Sequence, residues 1–294
     1  MSELPPASVV LCTRDRADFA EATVRALLAG DETPADVVVI DQSAEPSAVL
    51  SGFGDPVQYL WSSEPGLSRA RNLGTQSALN DVIVFVDDDV IIPTQWLRSL
   101  LEPLVAGDDR TVVTGPVLAE EGRPGTFAPS TVEVGPPAVH TGRIDVDVFA
   151  GGNSALRRSA LDEVGGFDER LGAGARYPAA DDNDLGYRLL EAGYRIVFVP
   201  DAFLYHRSWR PTRAFVRLRW RYGRGKGGFY AKHLSVRDRH MLRRAVRDIA
   251  VRLKRLPTGA RSRRRSVGDL SYVAGVLVGA VEWLVVERGV RRRQ

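Results

Sequence analysis

The chain has 294 residues, 44% hydrophobic and 26% charged, an ordinary globular balance with room for one large α/β domain and a smaller appendage. Its one cysteine, Cys12, excludes a disulfide framework and a cysteine-rich zinc site and fits a reducing cytoplasmic compartment, and the Met-Ser-Glu-Leu-Pro-Pro start shows neither the basic nor the apolar region of a secretory signal. The net charge of +3 hides a split: Met1 to His206 carries 15 Lys and Arg against 32 Asp and Glu, near −17, whereas Arg207 to Gln294 carries 25 against 5, near +20.

Ser8 to Cys12 (Ser-Val-Val-Leu-Cys) reads as a buried strand, followed by the loop Thr13-Arg14-Asp15-Arg16 and a helix from Ala17 to Ala29 stopped by Gly30. Val37 to Ile40 is the next strand, ending at Asp41. Leu67 to Leu79 has helical spacing of Leu67, Ala70, Leu73 and Ala78. It precedes the apolar run Val82 to Val86, which ends in three consecutive carboxylates, Asp87, Asp88 and Asp89. The order β-α-β-α-β predicts a parallel sheet with right-handed crossovers, whose carboxyl edge gathers Thr13, Asp41 and the three acids. Stacked acids repel unless a cation, a proton or basic groups compensate them. The simplest compensator is a hard divalent ion, Mg2+ or Mn2+, which keeps positions open for a substrate's phosphates.

Beyond a helix at 96–105 and a strand at 111–117, residues 119–141 turn Gly- and Pro-rich, which predicts an irregular loop or short hairpins. A strand at 147–156 is expected to break at Gly151-Gly152, followed by a short helix at 158–164 closed by Gly165-Gly166. The Gly- and Ala-rich stretch 171–180 is expected to be mobile. Asp181-Asp182-Asn183-Asp184 opens a helix through Glu191 with Gly193 as its stop, 195–199 is a last strand, and His206 stands alone after it.

From Pro211 the pattern is amphipathic and basic, with Phe215, Leu218 and Tyr222 facing one way and Arg217, Arg221 and Arg224 the other. Val267 to Val286 is nearly apolar, but Asp269 and Glu282 argue against a spanning helix, since a charge at bilayer depth costs about 2.5–3.5 kcal/mol. An interfacial helix flanked by Arg261 to Arg265 and Arg291 to Arg293 is expected instead. Such a tail meets something anionic, whether membrane headgroups, phosphate-bearing substrates or nucleic acid, or else packs on the acidic domain and neutralises it.

Six motifs follow one another in order: Val-Val-Leu-Cys-Thr-Arg-Asp-Arg, Glu-Pro-Gly-Leu-Ser-Arg-Ala-Arg-Asn-Leu-Gly, Phe-Val-Asp-Asp-Asp, Gly-Gly-Asn-Ser-Ala-Leu, Gly-Gly-Phe-Asp-Glu and Asp-Asp-Asn-Asp-Leu-Gly-Tyr-Arg-Leu. Together, from Pro6 to His206, the sequence resembles the inverting family-2 glycosyltransferases of the GT-A fold. The resemblance implies an α/β fold, Rossmann-like, with a mainly parallel mixed sheet flanked by helices over residues 1–206. Residues 207–294 form a basic, mainly helical C-terminal region.

The resemblance also implies roles. Asp87 and Asp89 match the Asp-x-Asp element that flanks the donor, with Asp89 the direct ligand of Mn2+ or Mg2+. His206 is a metal or diphosphate contact in related enzymes and a structural histidine otherwise. Thr13, Arg14, Asp15, Arg71, Asn72 and Asp88 fall on the donor side. Asp41 stands where the base is read, and its carboxylate suits the N3–H of uracil or thymine, hence a UDP- or dTDP-sugar; a strand-end acid capping a turn is the alternative. Gly152, Asn153 and Asp181 fall under the sugar and acceptor. Asp182 takes the place of the general base, which an acceptor hydroxyl needs in order to attack the anomeric carbon with inversion. Asp181 stands where the family usually has Glu. Arg219-Trp220 resembles part of the gating element of processive relatives, but Val216 replaces its glutamine, so transfer of one or few sugars is expected.

The expected partners are therefore a nucleoside-diphosphate sugar, a hydroxyl acceptor such as a lipid-linked glycan, and an anionic membrane surface, which makes the protein cytoplasmic and peripheral on the inner face. A sugar-phosphate nucleotidyltransferase would show a glycine-rich loop with a trailing lysine where Thr13-Arg14-Asp15-Arg16 stands. A non-catalytic tail-driven binder, including one for nucleic acid, leaves the acidic front without a purpose, so no nucleic-acid partner is expected. The glycines of Tyr222 to Gly228 follow no strand and make no nucleotide fingerprint.

Overall fold

The computed structural model describes residues 4–122, 124–207, 209–235, 238–256 and 263–291. In chain order the elements begin with β1 (Ala7–Thr13), α1 (Ala17–Leu28), β2 (Asp36–Asp41), α2 (Ala48–Ser51), β3 (Val57–Trp61), α3 (Leu67–Ser77), β4 (Val82–Asp87), β5 (Val90–Ile91) and α4 (Trp96–Ala106). There follow β6 (Thr111–Thr114), β7 (Val117–Ala119), β8 (Thr126–Phe127), β9 (Ala138–His140), β10 (Asn153–Arg157), α5 (Arg158–Val164), α6 (Asp181–Glu191), β11 (Arg195–Phe198), β12 (Leu204–His206) and β13 (Arg210–Pro211). The tail is helical, with α7 (Phe215–His233), α8 (His240–Lys254) and α9 (Arg263–Arg291).

Near-continuous apolar runs make β1, β2 and β4 strands buried on both faces. Val9, Leu11, Val37, Val39 and Val84 pack on one side with Trp96 and Leu100 of α4. Val10, Val38, Ile40, Ile83 and Phe85 pack on the other with Leu185 and Leu189 of α6. The sheet has the order β3-β2-β1-β4-β10-β6-β11-β9. The first four strands are parallel, and β10 runs antiparallel between β4 and β6, so the sheet is mixed. Register sets Thr13 beside Asp41 and Cys12 beside Asp87, which makes the expected carboxyl edge real. A second sheet, β5-β12-β7, pairs His206 with Val90 and so draws the histidine next to the acid turn.

Four local expectations change. Val57 to Trp61 is an additional edge strand. The expected strand at 147–156 begins only at Asn153, because Asp147 leaves the sheet to accept from Lys226 and Arg244. The strand at 111–117 is two strands divided at Gly115-Pro116, where a Cβ on Gly115 would overlap the Ala202 carbonyl. Residues 171–180 form a packed turn and not a mobile loop: Leu171 and Tyr177 are fully buried, the Gly172 amide donates to the Tyr177 carbonyl, and the Tyr177 ring lies 4.8 Å from Trp283 of α9.

The glycine-rich run of α7 is a helix–helix interface. A Cβ on Gly223 or Gly227 would strike the backbone of α9 at Tyr272 or Val276, and one on Gly275 or Gly279 would strike α7 at Trp220 or Arg224. The paired four-residue steps let the two backbones touch. Asp269 and Glu282 turn toward the same seam, where they meet Arg219 and Arg224. Arg261, Arg292 and Arg293, expected to flank this helix, lie outside the described residues.

Candidate active site

At the end of β4, Asp87 is half-buried and accepts from Arg71 Nη2 at 3.0 Å. The turn that follows buries the next two acids. Asp88 accepts from Thr13 Oγ1 at 2.7 Å and pairs with Arg16 at 2.6 Å. Asp89 takes Arg16 Nη1 at 2.5 Å, Trp209 Nε1 at 2.6 Å and His206 Nε2 at 3.2 Å. Backbone bonds fix the turn, from Thr23 Oγ1 to the Asp88 carbonyl and from the Arg207 amide to that of Asp89. Arg16 therefore supplies the compensating charge that the triplet requires. Burial still pushes the Asp88 carboxyl up to about 7, against the pull of Arg16.

Across the cleft, α6 starts at Asp181 behind Ala180, whose φ of 69° turns the chain sharply into the helix. Acids in a first helical turn are favoured by the helix dipole. Asp181 accepts from Arg71 Nη1 at 2.8 Å, so one guanidinium ties α6 to β4. Arg71 is buried and lies over the Phe167 ring at 5.1 Å. Asp182 caps the next residue through the Asn183 amide at 2.8 Å. Burial, then the Asp181 charge, push its carboxyl up to about 7, while Arg71 pulls the other way. Gly151 and Gly152 are required by contact: a Cβ on the first would lie 2.9 Å from Arg71 Nη1 and 3.0 Å from Asp182 Cβ, and one on the second would overlap the Asp87 carboxylate.

The acid edge and the α6 terminus share a cleft of about 460 Å³, and the tail builds its far wall. Lys226 of α7 donates to Asp147 at 2.6 Å and to Asn183 at 3.0 Å, and the Tyr222 hydroxyl bonds Ser130 at 2.6 Å. Asp184, fully buried, binds Arg188, Lys232 and His233, which hold its carboxyl below the ordinary range against burial. It pins α7 to α6.

The sequence profile of glycosyl transferase family 2 matches residues 8–165. The chain belongs to that family. A glucosyl-dolichyl phosphate glucuronosyltransferase from Haloferax volcanii is 28% identical over 214 residues, which cover 68% of each chain. The succinoglycan biosynthesis protein ExoM of Rhizobium meliloti is 29% identical over 66% of this chain and 64% of its own. A pre-mycofactocin glycosyltransferase of Mycobacterium tuberculosis is 32% identical over 51% of this chain, which spans only 33% of that protein. The fold matches that of a mannosyltransferase from Pyrobaculum calidifontis solved with GDP-Man and Mn2+, with a TM-score of 0.62 at 19% identity over 96% of this chain and 88% of that one. It also matches GalNAc-T7 solved with UDP, GalNAc and Mn2+, with a TM-score of 0.57 at 18% identity over 97% and 58%. The protein is a glycosyltransferase of GT-A fold.

Of the residues singled out in the sequence of this glycosyltransferase, the cleft gathers Thr13, Arg14, Arg71, Asp87, Asp88, Asp89, Gly152, Asp181, Asp182 and His206. Four others lie elsewhere. The Asp41 carboxylate is fully buried, accepts from the Ser43 and Ser47 amides and the Tyr59 hydroxyl, and closes a turn outside the cleft lining. Asn153 is a cross-link, accepting from Trp96 Nε1 and donating to the Pro116 and Ala202 carbonyls. Asn72 clasps Phe167 through its amide and carbonyl. Asp15, at φ 56°, sits on the rim and joins the Ser43 loop. Arg16 was not singled out as a site residue, and Trp209, which donates to Asp89, was weighed only as packing or as a ring stacked on a sugar. Arg16 closes the first of the six motifs, which is the hint the sequence holds for it, and Trp209 lies beyond the motifs.

Proposed function

We propose that this glycosyltransferase moves one sugar from a nucleoside-diphosphate sugar to a hydroxyl acceptor with inversion, that Asp182 is the base, and that Asp89 and His206 hold a divalent cation, Mn2+ or Mg2+. The carrying observation is that Asp182, titrating near neutrality, opens into the same cleft as the Asp87–Asp89 edge. A base poised near ambient pH is half ionised and able to keep the proton it takes. The Asn183 amide orients it while Arg71 fixes its neighbour Asp181, and the glycines at 151 and 152 leave the floor open for a pyranose.

The donor set supports a cation. Asp89, in the turn between β4 and β5, and His206, at the end of β12, converge with 3.2 Å between Oδ1 and Nε2. Among the described residues no group of three or more such side chains meets, so nucleotide phosphates would complete the coordination. Carboxylate and imidazole together suit Mn2+. When bound, the ion would neutralise charge developing on the departing diphosphate. Arg16, now on the Asp88 and Asp89 carboxylates, is the residue that yields or shares that place.

Because the Asp41 carboxylate is buried behind the Ser43 and Ser47 amides and the Tyr59 hydroxyl, it carries no choice between uracil and thymine here, and the base stays unassigned within this proposal. For the acceptor, the Haloferax relative is named for a lipid phosphate, and the tail of this chain supports work at a membrane. Arg263 to Glu287 is long and apolar enough to cross a bilayer, yet its acids and its glycine seam face α7, which carries Arg217, Arg219, Arg221 and Arg224. Val267, Leu270, Leu277, Val278, Val281 and Val285 are exposed along one side of α9, over about 27 Å. We place that stripe in the anionic cytoplasmic leaflet. Titration calorimetry of UDP, dTDP and GDP, each with Mn2+, Mg2+ and EDTA, tests the donor half: one diphosphate should bind tightly only with metal. Binding of none would reject the reading.

A further inference from the structure

The tail wall carries cations that the structure leaves without carboxylates. Arg210 and Arg221 both line the cleft, and among the described residues neither has an acidic side chain within ion-pair distance. The Arg210 guanidinium lies over the Trp209 ring, 4.4 Å from its centroid, and its buried Nε has no hydrogen-bond partner. Arg219, on the other flank of Tyr222, shares Asp269 with Arg252 at 3.5 and 3.6 Å, and both guanidiniums lie over the Tyr272 ring. Burial and the neighbouring Arg252 hold Arg219 below the ordinary arginine value; burial does the same for Arg210, with Arg16 adding to it. Buried like charges are costly unless an anion joins them.

We propose that Arg210, Arg221 and Arg219 form an anion subsite on the acceptor side of the cleft, which takes a phosphate carried by the acceptor. The inference rests on the transferase reading above and adds the acceptor's chemical class to it. Lys226 donates to Asn183, the neighbour of Asp182, and so marks the level of the attacked hydroxyl on α7. Arg221 and Arg219 lie five and seven residues earlier on the same helix, about 8–10 Å along its axis. Tyr222 occupies the interval, its hydroxyl held by Ser130. An acceptor with its hydroxyl at Asp182 and a short glycan along Tyr222 would present its anion to these arginines, whose planar forks match phosphate oxygens in pairs. Beyond them Phe215 and Gly268 join the starts of α7 and α9, where the apolar stripe begins at Val267 and Leu270. A hydrocarbon chain on that phosphate would leave the cleft there.

The test uses the full chain saturated with UDP and Mn2+, titrated calorimetrically with octyl phosphate below its micellar concentration and with octyl glucoside as the uncharged control. Octyl phosphate should bind without displacing UDP. Arg210→Ala and Arg221→Ala should each weaken it about tenfold or more, and Arg221→Lys less, while UDP affinity stays within about twofold. Displacement of UDP by octyl phosphate would assign the arginines to the donor's diphosphate and overturn the proposal, as would an unchanged affinity in Arg221→Ala, which thermal melting shows folded. If UDP does not bind, the diphosphate among dTDP and GDP that does takes its place, and failure of all three would instead defeat the donor-site reading above. Octyl phosphate binding is then read in buffer alone, where an affinity insensitive to both substitutions still overturns the subsite.

Discussion

Arg71 lies 2.8 Å from Asp181 and, through its other amino group, 3.0 Å from Asp87, so a single buried guanidinium sets the spacing between the acid edge and the start of α6. Lysine can reach one of the two carboxylates but cannot span both with a planar fork. Arg71→Lys should therefore lower kcat by about a hundredfold and leave Asp181 and Asp182 less well neutralised. The pH–rate profile checks it: the acid limb should move to higher pH, because the charge that favours ionised Asp182 has weakened. An unshifted limb would mean that Arg71 acts on the donor alone.

Asp182→Asn removes the proposed base and keeps the shape. Transfer should fall by at least about a hundredfold, with nucleotide affinity within about twofold. In the native enzyme the rate should drop as pH falls through about 7, since the base must be ionised; Asp181, Asp147, Arg71 and Tyr222 are the charged or titratable groups facing it. The same shift has a sign in stability. The folded carboxyl, at about 7 against an ordinary 3.8, holds its proton more tightly than the unfolded one, so stability falls as pH rises across that window. Asp182→Asn should therefore melt about 2–4 °C higher at pH 8 and no higher at pH 4, a gain that scanning calorimetry resolves.

Gly152→Ala tests the floor. The added methyl overlaps the Asp87 carboxylate, so that either Asp87 or the β10 start must move. Nucleotide binding should weaken by about tenfold or more while the melting temperature changes little, because the strain falls on a half-exposed side chain at the cleft and not on the core. Unchanged nucleotide affinity would detach Asp87 from the donor.

Most of the sheet was legible because β1, β2 and β4 are short β-branched runs ending in polar residues, a pattern that suits a strand buried on both faces. β3 escaped because Val-Gln-Tyr-Leu-Trp is an edge strand whose outer face is partly open, which blurs its alternation. Asp181 and Asp182 were legible as a helix start, and for Asp41 the turn cap was legible only as the alternative, but Asn72 and Asn153 were not legible as structural. A polar side chain beside a motif carries no mark that says whether its bonds go to a ligand or to a carbonyl 37 residues away, as with Asn153 and Pro116. Likewise the tail's charge announced an anionic partner without separating the cations used inside. Lys226, Lys232 and Arg244 are consumed by Asp147, Asp168 and Asp184, whereas Arg210 and Arg221 line the cleft without such partners among the described residues.

The exposed side of α9 gives the last test, which concerns where the enzyme works. Leu277 and Val281 are 57% and 61% exposed, and a charge there meets water in the free protein. Leu277→Glu and Val281→Glu should therefore leave the melting temperature within about 2 °C, since neither alters the glycine seam with α7. On a bilayer the same charges would sit at acyl depth beside like-charged headgroups, forfeiting about 1–2 kcal/mol of apolar burial each and adding repulsion. Flotation with phosphatidylcholine vesicles containing phosphatidylglycerol should recover the native protein at low salt, less of it at high salt and little of the double variant. Vesicles of phosphatidylcholine alone should recover less than the anionic ones, because Arg263, Arg264 and Arg265 lie exposed at the start of the stripe. If the double variant floats as well as the native protein, the stripe is not the membrane contact. If instead the native protein is a dimer in solution that the two substitutions split, the stripe belongs to a second copy of the chain.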